Sequence, residues 1–97
     1  TNGKEKIFES LMEKRNITVT SREGMHTRPA AVFVREAAKF KSEVMLTSGD
    51  TTVNGKSIMG ILMLALTSGT TVTLQVDGPD ESSAADALAR VLSGDSG

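Results

Sequence analysis

The most regular pattern in the chain is the strict alternation of polar and apolar residues over 71–76. Alternation with a period of two is typical of a strand that buries one face. A similar alternation over 17–22 and the β-prone runs 44–47 and 51–53 predict three further strands. Because a tight turn beginning at Gly49 separates the last two runs, we expect them to form a hairpin.

A helical period marks other segments of the chain. Residues 4–15 carry an apolar stripe among lysines and glutamates, which predicts an amphipathic helix. We expect further helices over 27–40, from a cap at Ser57 to about Gly69, and over a last segment with Pro79 in its first turn. The inward-facing residues predicted for the second and last helices are Ala30, Phe33, Val34, Ala37, Ala84, Ala85, Leu88, Val91 and Leu92.

The order strand–helix–strand–strand–helix–strand–helix predicts an α+β domain. Its strands would form one antiparallel sheet with helices over one face, and the pattern leaves the strand order open. We expect an N-terminal helical extension over 1–16, the domain proper over 17–93 and a flexible tail over 94–97. The extension is an interaction segment, a self-association element, a remnant of a larger polypeptide, or a helix that packs on the domain.

Composition narrows the classes of function. A chain of 97 residues with a net charge of −1 forms one small core and lacks the basic character of a general nucleic-acid binder. It has no cysteine and one histidine, so we expect no disulfide, no metal site and no other cofactor. The longest apolar run, 58–66, is too short to insert across a membrane, and no signal peptide is visible, so we expect a cytoplasmic protein.

The candidate chemistry lies in the run Gly-Met-His-Thr-Arg-Pro-Ala over 24–30, where a helix is predicted to begin. His26 is the only histidine, and a neutral imidazole is a nucleophile near pH 7. Thr27 is the predicted helix cap, and Arg28 offers a planar charged fork that matches phosphate oxygens. Since a helix start also favours anions, these residues predict a site that holds a phosphate on an imidazole.

This run resembles the active-site signature of the HPr family, the histidine phosphocarriers of the bacterial sugar phosphotransferase system. A second block, Asn-Gly-Lys-Ser-Ile-Met-Gly-Ile-Leu-Met-Leu over 54–64, resembles the regulatory serine segment of that family. The two blocks stand in the family's order, and the resemblance spans roughly residues 17–92. It implies an open-faced β-sandwich with a four-stranded antiparallel sheet and three helices, to which the N-terminal helix would be an addition.

The resemblance implies a carrier rather than an enzyme. His26 would accept a phosphoryl group from phosphorylated Enzyme I, through its Nδ1 nitrogen, and pass it to sugar-specific EIIA-type acceptors. Arg28 would stabilise the phosphate, and Thr27 would cap the helix and help to form the phosphate site.

The second block implies regulation and docking. The resemblance makes Ser57 a site for an HPr kinase/phosphorylase, while its spacing alone favours an ordinary helix cap. Met25, Ile58, Met59 and Leu62 are the residues expected to contact partner proteins, although burial in the core would explain the same apolar side chains.

Two other classes of function remain open at this point. The second class is a regulatory binding protein of the nitrogen-branch or catabolite-control type. Phosphorylation would then switch its binding to a partner such as a transcriptional regulator. The third class is a small-ligand or scaffold module without phosphotransfer, for which His26 would be dispensable.

Overall fold

The computed structural model of the chain describes residues 12–20, 25 and 27–94. Within these residues the chain forms four strands and three helices in the predicted order. The elements are β1 (Glu13–Thr18), α1 (Thr27–Ala37), β2 (Glu43–Ser48), β3 (Thr51–Asn54), α2 (Ile58–Met63), β4 (Thr71–Asp77) and α3 (Glu81–Leu92).

The four strands form one antiparallel sheet in the order β1-β4-β2-β3. Alternate side chains of its two central strands point towards the helices and are buried, because a strand with one covered face places every second residue in the core. The predicted α+β architecture is confirmed. The core joins these strand residues to side chains from all three helices, among them Val44, Leu46, Val72, Leu74, Val76, Phe33, Ile61 and Leu88.

The opposite face of the sheet is polar, and side-chain hydrogen bonds link neighbouring strands across it. The Thr73 hydroxyl donates to Asn16 Oδ1 at 2.8 Å, and the hydroxyls of Thr47 and Thr52 lie 2.8 Å apart. Such cross-strand polar pairs suit a face without a covering layer. Within the residues that the structure describes, the sandwich is therefore open on this side, as the resemblance implied.

The predicted N-terminal helix is wrong over its last residues. β1 begins at Glu13, so 13–15 form a strand, and the predicted boundary after residue 16 falls inside that strand. The Arg15 guanidinium donates to Asp86 of α3 at 2.6 Å and to Glu13 at 3.1 Å. Charged residues thus occupy the first two inward positions of β1 and conceal its period. These two bonds, the one to Asp86 above all, raise the pKa of Arg15. Residues 4–11 lie outside the described residues.

The helix that Ser57 caps, α2, is shorter than predicted. α2 ends at Met63, with Leu64 as its C-cap, whereas the sequence predicted a helix to about Gly69. Ala65 has a φ of 51°, in the left-handed region where a right-handed helix cannot continue. Leu66 follows and is buried in the core. Because alanine is the best helix former, nothing in the sequence marked this stop.

The last helix begins later than predicted. α3 starts at Glu81 with Asp80 as its N-cap, so Pro79 lies before the helix and not in its first turn. The Asp80 carboxylate makes no capping bond and instead accepts the Lys41 N–H at 2.9 Å and the Ser42 N–H at 3.0 Å. The Ser42 hydroxyl also donates to it at 2.6 Å. This carboxylate therefore ties the start of α3 to the segment that leads into β2.

The end of α3 is closed by backbone bonds. The Ser93 N–H donates to the Ala89 carbonyl at 3.0 Å, and the Gly94 N–H donates to the Val91 carbonyl at 3.2 Å. Gly94, the first residue of the predicted flexible tail, is thus bonded to the helix. Residues 95–97 lie outside the described part of the chain.

The Asp80 contacts give the fold a pH dependence. Hydrogen bonds from the Ser42 hydroxyl and the Lys41 N–H lower the pKa of Asp80 below its ordinary value. The ionised form therefore stabilises the folded state above the ordinary aspartate pKa of about 4, and that stability is lost as the pH falls through the lower folded-state pKa. We expect Asp80→Asn to unfold more readily than wild type at pH 6 and to lose less stability on acidification.

Urea unfolding of both proteins at pH 6 and pH 3 measures this difference. Asp50→Asn, in the exposed β2–β3 turn, is the control for removal of a carboxylate without these bonds. An Asp80→Asn protein whose midpoint falls between the two pH values by as much as that of wild type would refute the assignment.

Candidate functional site

The predicted site lies where α1 begins. Thr27 and Arg28 are exposed, and Pro29 is half-buried. The helix starts at Thr27, so Thr27 is its first residue and not the cap that the sequence predicted. Pro29 lies in the first turn as expected, where a missing N–H breaks no helical bond. His26 lies outside the described residues, between Met25 and Thr27 in the chain.

The start of α1 favours an anion. Its first turn contains no acidic residue, and Arg28 adds a permanent positive charge to the positive end of the helix dipole. The N–H groups of Thr27 and Arg28 lie in the first turn, whose N–H groups have no carbonyl partner within the helix. This arrangement can stabilise a phosphate carried by the residue directly before the helix.

Buried side chains hold α1 in place. Ala30, Phe33 and Ala37 are fully buried on its inner face, as predicted, and Val34 is partly buried. Because the inner face packs firmly, the first turn has a fixed direction relative to the sheet. The exposed end of a well-packed helix is thus a rigid support for a surface site.

The chain just before α1 is also anchored. Met25 is 5% exposed, within the core, and its N–H donates to the Leu66 carbonyl at 2.9 Å. Directly after β1, the Val19 N–H donates to the Thr70 carbonyl at 2.8 Å. Met25 was expected to contact partner proteins. Its buried side chain offers a partner almost no surface, so the structure does not support that expectation.

Ser57 caps α2 as predicted. It has extended backbone angles, with φ −117° and ψ 119°, and its hydroxyl accepts the Gly60 N–H at 3.1 Å. The preceding residue, Lys56, donates from its ammonium to the Phe40 carbonyl at 2.8 Å, beyond the end of α1. Ser57 is half-buried, so part of its side chain reaches solvent. The regulatory role of Ser57 stays a prediction.

One face of α2 is exposed and apolar, and we call Ile58, Met59 and Met63 the α2 patch. Met59 is 70% exposed, Met63 72% and Ile58 37%, whereas Ile61 on the opposite face is fully buried. Leu62, also expected to contact partners, is half-buried against the core. Exposed methionines four residues apart are unusual on a monomer surface and typical of a docking surface.

The structure adds Met63 to the residues expected to contact partner proteins. Met63 is the most exposed apolar side chain of the α2 patch, and its spacing of four residues from Met59 was the available signal. Which face of the helix was buried could not be read from a nearly uniform apolar run, because periodicity needs polar positions.

The structure also bears on metal binding and on membrane-spanning helices. Over the part of the chain that the structure describes, no group of three or more histidine, cysteine, aspartate or glutamate residues is arranged to hold a metal ion. Over the same part, no helix is both long and apolar enough to cross a membrane.

Fold and site together define a class, the small open-faced α+β domains that present an anion-favouring helix start beside a histidine. A family model described as PTS HPr component phosphorylation site matches residues 13–93. The chain therefore belongs to the HPr family, the phosphocarrier proteins of the phosphotransferase system.

Named relatives agree with this assignment. Phosphocarrier protein HPr of Neisseria meningitidis is 45% identical over 86% of this chain and 93% of its own length. HPr-like protein Crh of Halalkalibacterium halodurans is 44% identical over 79% of this chain and 92% of its own length. The crystal structure of a phosphocarrier protein HPr from Bacillus anthracis matches with a TM-score of 0.81 at 38% identity, covering 84% of this chain and 96% of that one.

Proposed function

We propose that this protein is a phosphocarrier that accepts a phosphoryl group on His26 from phosphorylated Enzyme I and passes it to an EIIA-type acceptor. The observation that carries this is the start of α1, where exposed Arg28 and the N–H groups of the first helical turn follow the only histidine of an HPr-family chain. We expect the protein to act as a covalent carrier and not as a catalyst of its own.

The transfer needs alignment more than reactive groups. The Nδ1 nitrogen of neutral His26 attacks the phosphorus, and the bond from phosphorus to Enzyme I breaks as the bond to nitrogen forms. Charge spreads over the phosphoryl oxygens, where Arg28 and the N–H groups of the first turn stabilise it. The reverse displacement by the acceptor removes the phosphoryl group and restores the imidazole.

The α2 patch supports docking in this proposal. Donor and acceptor must each meet the exposed start of α1 in turn, so binding has to be transient and tolerant of different partners. Exposed, flexible methionine side chains adapt to more than one surface. We therefore propose that Ile58, Met59 and Met63 contact Enzyme I and the acceptor, with Leu62 contributing from its half-buried position.

A second candidate function is regulatory binding switched by phosphate, and it is favoured by the similarity to Crh, which in Bacillus subtilis is described as the catabolite repression HPr. An HPr kinase/phosphorylase would act at the Ser57 cap, adding about two negative charges beside the α2 patch. Such a charge would change the fit of that surface to Enzyme I or to a transcriptional regulator. Phosphate on Ser57 would stay at a helix cap, where the Gly60 N–H already points.

The proposed function is tested by incubating the chain with phosphoenolpyruvate and Enzyme I, then adding an EIIA domain. We expect the intact mass to rise by one phosphoryl group and to return when EIIA is added. Phosphorylation without onward transfer would support the regulatory candidate. A chain that gains no phosphoryl group while a control HPr does would overturn the phosphocarrier proposal.

Removing the charge of Arg28 should slow transfer without preventing docking. A single preorganised donor in a site closed to water contributes about a hundredfold to a thousandfold. Because Arg28 is exposed, we expect Arg28→Met to lower the maximal rate of phosphorylation by about a hundredfold at most and about tenfold at least. Arg28→Lys should recover part of the rate, because a lysine keeps the charge but not the fork.

Rapid-quench kinetics with Enzyme I measure these rates. Arg90→Met, an exposed change in the last turn of α3, is the matched control and should behave as wild type. An Arg28→Met protein with the wild-type maximal rate would rule out its role at the phosphate.

A charge in the α2 patch should weaken docking. We expect Met59→Asp to raise the KM for Enzyme I by about tenfold, because it replaces an apolar contact with a group that must lose its water. The maximal rate should change little, since Met59 lies outside the phosphate site.

Thr52→Asp, an exposed change on β3, adds the same charge away from the patch and should leave the KM unchanged. Steady-state kinetics at varied concentrations of the chain separate the two variants. Equal effects of both substitutions would mean that net charge, and not the α2 patch, governs docking.

A further inference from the structure

Met25 is the last residue before His26, and it is fixed in two ways. Its side chain lies in the core at 5% exposure. Its N–H donates to the Leu66 carbonyl at 2.9 Å, on the segment between α2 and β4. Leu66 is itself 3% exposed, so donor and acceptor both belong to residues that are locked by packing. We call this pair the Met25–Leu66 clamp.

The acceptor side of the clamp depends on a strained residue. Ala65, directly before Leu66, has a φ of 51°, which residues other than glycine seldom adopt. Its side chain is exposed, and its N–H donates to the Leu62 carbonyl at 3.1 Å, a bond that accompanies a left-handed residue at the end of a helix. Strain of this kind persists where the surrounding structure imposes it, and it clusters at functional sites. Here it ends α2 and turns Leu66 into the core with its carbonyl towards Met25.

His26 therefore follows a clamped residue and precedes a packed helix. The Met25–Leu66 clamp holds the chain on one side, and α1, anchored by Ala30 and Phe33, holds it on the other. Both neighbours of His26 in the chain thus belong to packed parts of the fold. In-line phosphoryl transfer is sensitive to the position of the nucleophile, because a displacement of about 1 Å can cost about a hundredfold in rate.

We propose that Met25 is a positioning residue for phosphoryl transfer: the Met25–Leu66 clamp, set by strained Ala65, fixes the backbone on which His26 is carried. This inference rests on the proposed function of His26. It gives Met25 a role inside the core in place of the partner contact expected from the sequence.

The side-chain half of the clamp is tested with Met25→Ala, Met25→Leu and Val76→Ala. Val76 is also fully buried but lies at the far end of β4, so its substitution controls for a cavity as such. We expect Met25→Ala to lower the maximal rate of His26 phosphorylation by about tenfold or more, with a KM for Enzyme I within about twofold of wild type. Met25→Leu, which refills the core, and Val76→Ala should keep the wild-type rate.

Three results would overturn the proposal. The first is a wild-type maximal rate in Met25→Ala. The second is an equal loss in Val76→Ala, which would show a general effect of lost packing. The third is a rise in KM without a change in the maximal rate, which would return Met25 to partner contact. Wild-type protein that Enzyme I cannot phosphorylate would instead refute the proposed function.

The backbone half of the clamp is tested at Ala65, whose exposed side chain makes a substitution act through φ alone. Ala65→Gly adopts a positive φ without strain and should keep the wild-type rate. Ala65→Val should lower the maximal rate as Met25→Ala does, since a β-branched residue resists this conformation more strongly. Equal rates in the glycine and valine variants would separate Ala65 from the clamp.

NMR of the protein alone tests the position of His26 without Enzyme I and without phosphoryl transfer. His26 is the only histidine, so its imidazole resonances are the only ones of their kind in the NMR spectrum. We expect them to shift or broaden in Met25→Ala and to match wild type in Met25→Leu and Val76→Ala. Unchanged imidazole resonances in Met25→Ala would contradict positioning through the backbone.

Discussion

Replacement of His26 by alanine is expected to abolish phosphate acceptance from Enzyme I. The chain contains no second histidine and no cysteine, so no other side chain can take over as an imidazole or thiolate nucleophile. Hydroxyl groups are poor nucleophiles without a neighbouring base. The loss should therefore be complete within detection, and not a reduction in rate as for Arg28→Met.

The fold should survive this substitution, and thermal unfolding by circular dichroism checks that it does. Ser57→Ala is the matched control, because it removes the other proposed phosphorylation site and should leave acceptance from Enzyme I intact. Acid-labile phosphate that persists in His26→Ala, or an acid-stable label on a hydroxyl, would show that another residue is the acceptor.

Gly78→Ala is expected to destabilise the fold by about 2–5 kcal/mol, which combines backbone strain with overpacking. Gly78 has a φ of 155°, and a Cβ there would lie 2.6 Å from both Ser42 Cα and Ser42 Oγ. Ser42 cannot move aside easily, because it is fully buried and bonded to the Asp80 carboxylate. The added methyl group must therefore separate the start of α3 from the residues before β2. Against a total stability of about 5–15 kcal/mol, this is a large fraction.

Gly49→Ala separates the two causes. Gly49 also has a positive φ, of 60°, but a Cβ there meets nothing within 4 Å, so only strain of about 1–2 kcal/mol is expected. Urea unfolding of both variants gives the comparison. If Gly78→Ala costs no more than Gly49→Ala, the close approach to Ser42 does not constrain the fold.

Residue patterns were sufficient for the sheet and for most of the core. The alternation over 71–76 lies in the centre of the sheet, where β4 buries Val72, Leu74 and Val76 against the helices. Alternation did not reveal the first half of β1, because the charged Arg15 fills an inward position there. Asp86 and Glu13 neutralise that charge. A sequence does not distinguish a charged residue that pairs with others in the fold from one that is fully solvated.

Backbone conformation accounts for the remaining differences in the fold. The end of α2 depends on a positive φ at Ala65, a residue type that ordinarily continues a helix. Asp80 resembles a capping residue, yet its carboxylate bonds to Ser42 and Lys41, some forty residues earlier in the chain. Contacts between residues far apart in the sequence override the local preference for a helix cap, and the sequence of one segment does not reveal them.

The site was predictable in its residue types and less so in its geometry. The Ser57 cap followed from spacing, and in the structure the Ser57 hydroxyl accepts the Gly60 N–H. Burial of Met25 did not follow, because a single apolar residue in a loop has no period to assign its side. The sequence names the residue that would carry the phosphate, while the packing on either side of it is visible only in three dimensions.

The central claim is that His26 carries a phosphoryl group, and phosphorus NMR of the chain during turnover with phosphoenolpyruvate and Enzyme I tests it most directly. We predict a single phosphorus–nitrogen resonance of the Nδ1 type that appears with the loss of the free imidazole signal of His26 and disappears on addition of an EIIA domain. A spectrum that shows only phosphoenolpyruvate and inorganic phosphate, with an unchanged His26 imidazole and an active Enzyme I, would contradict the account.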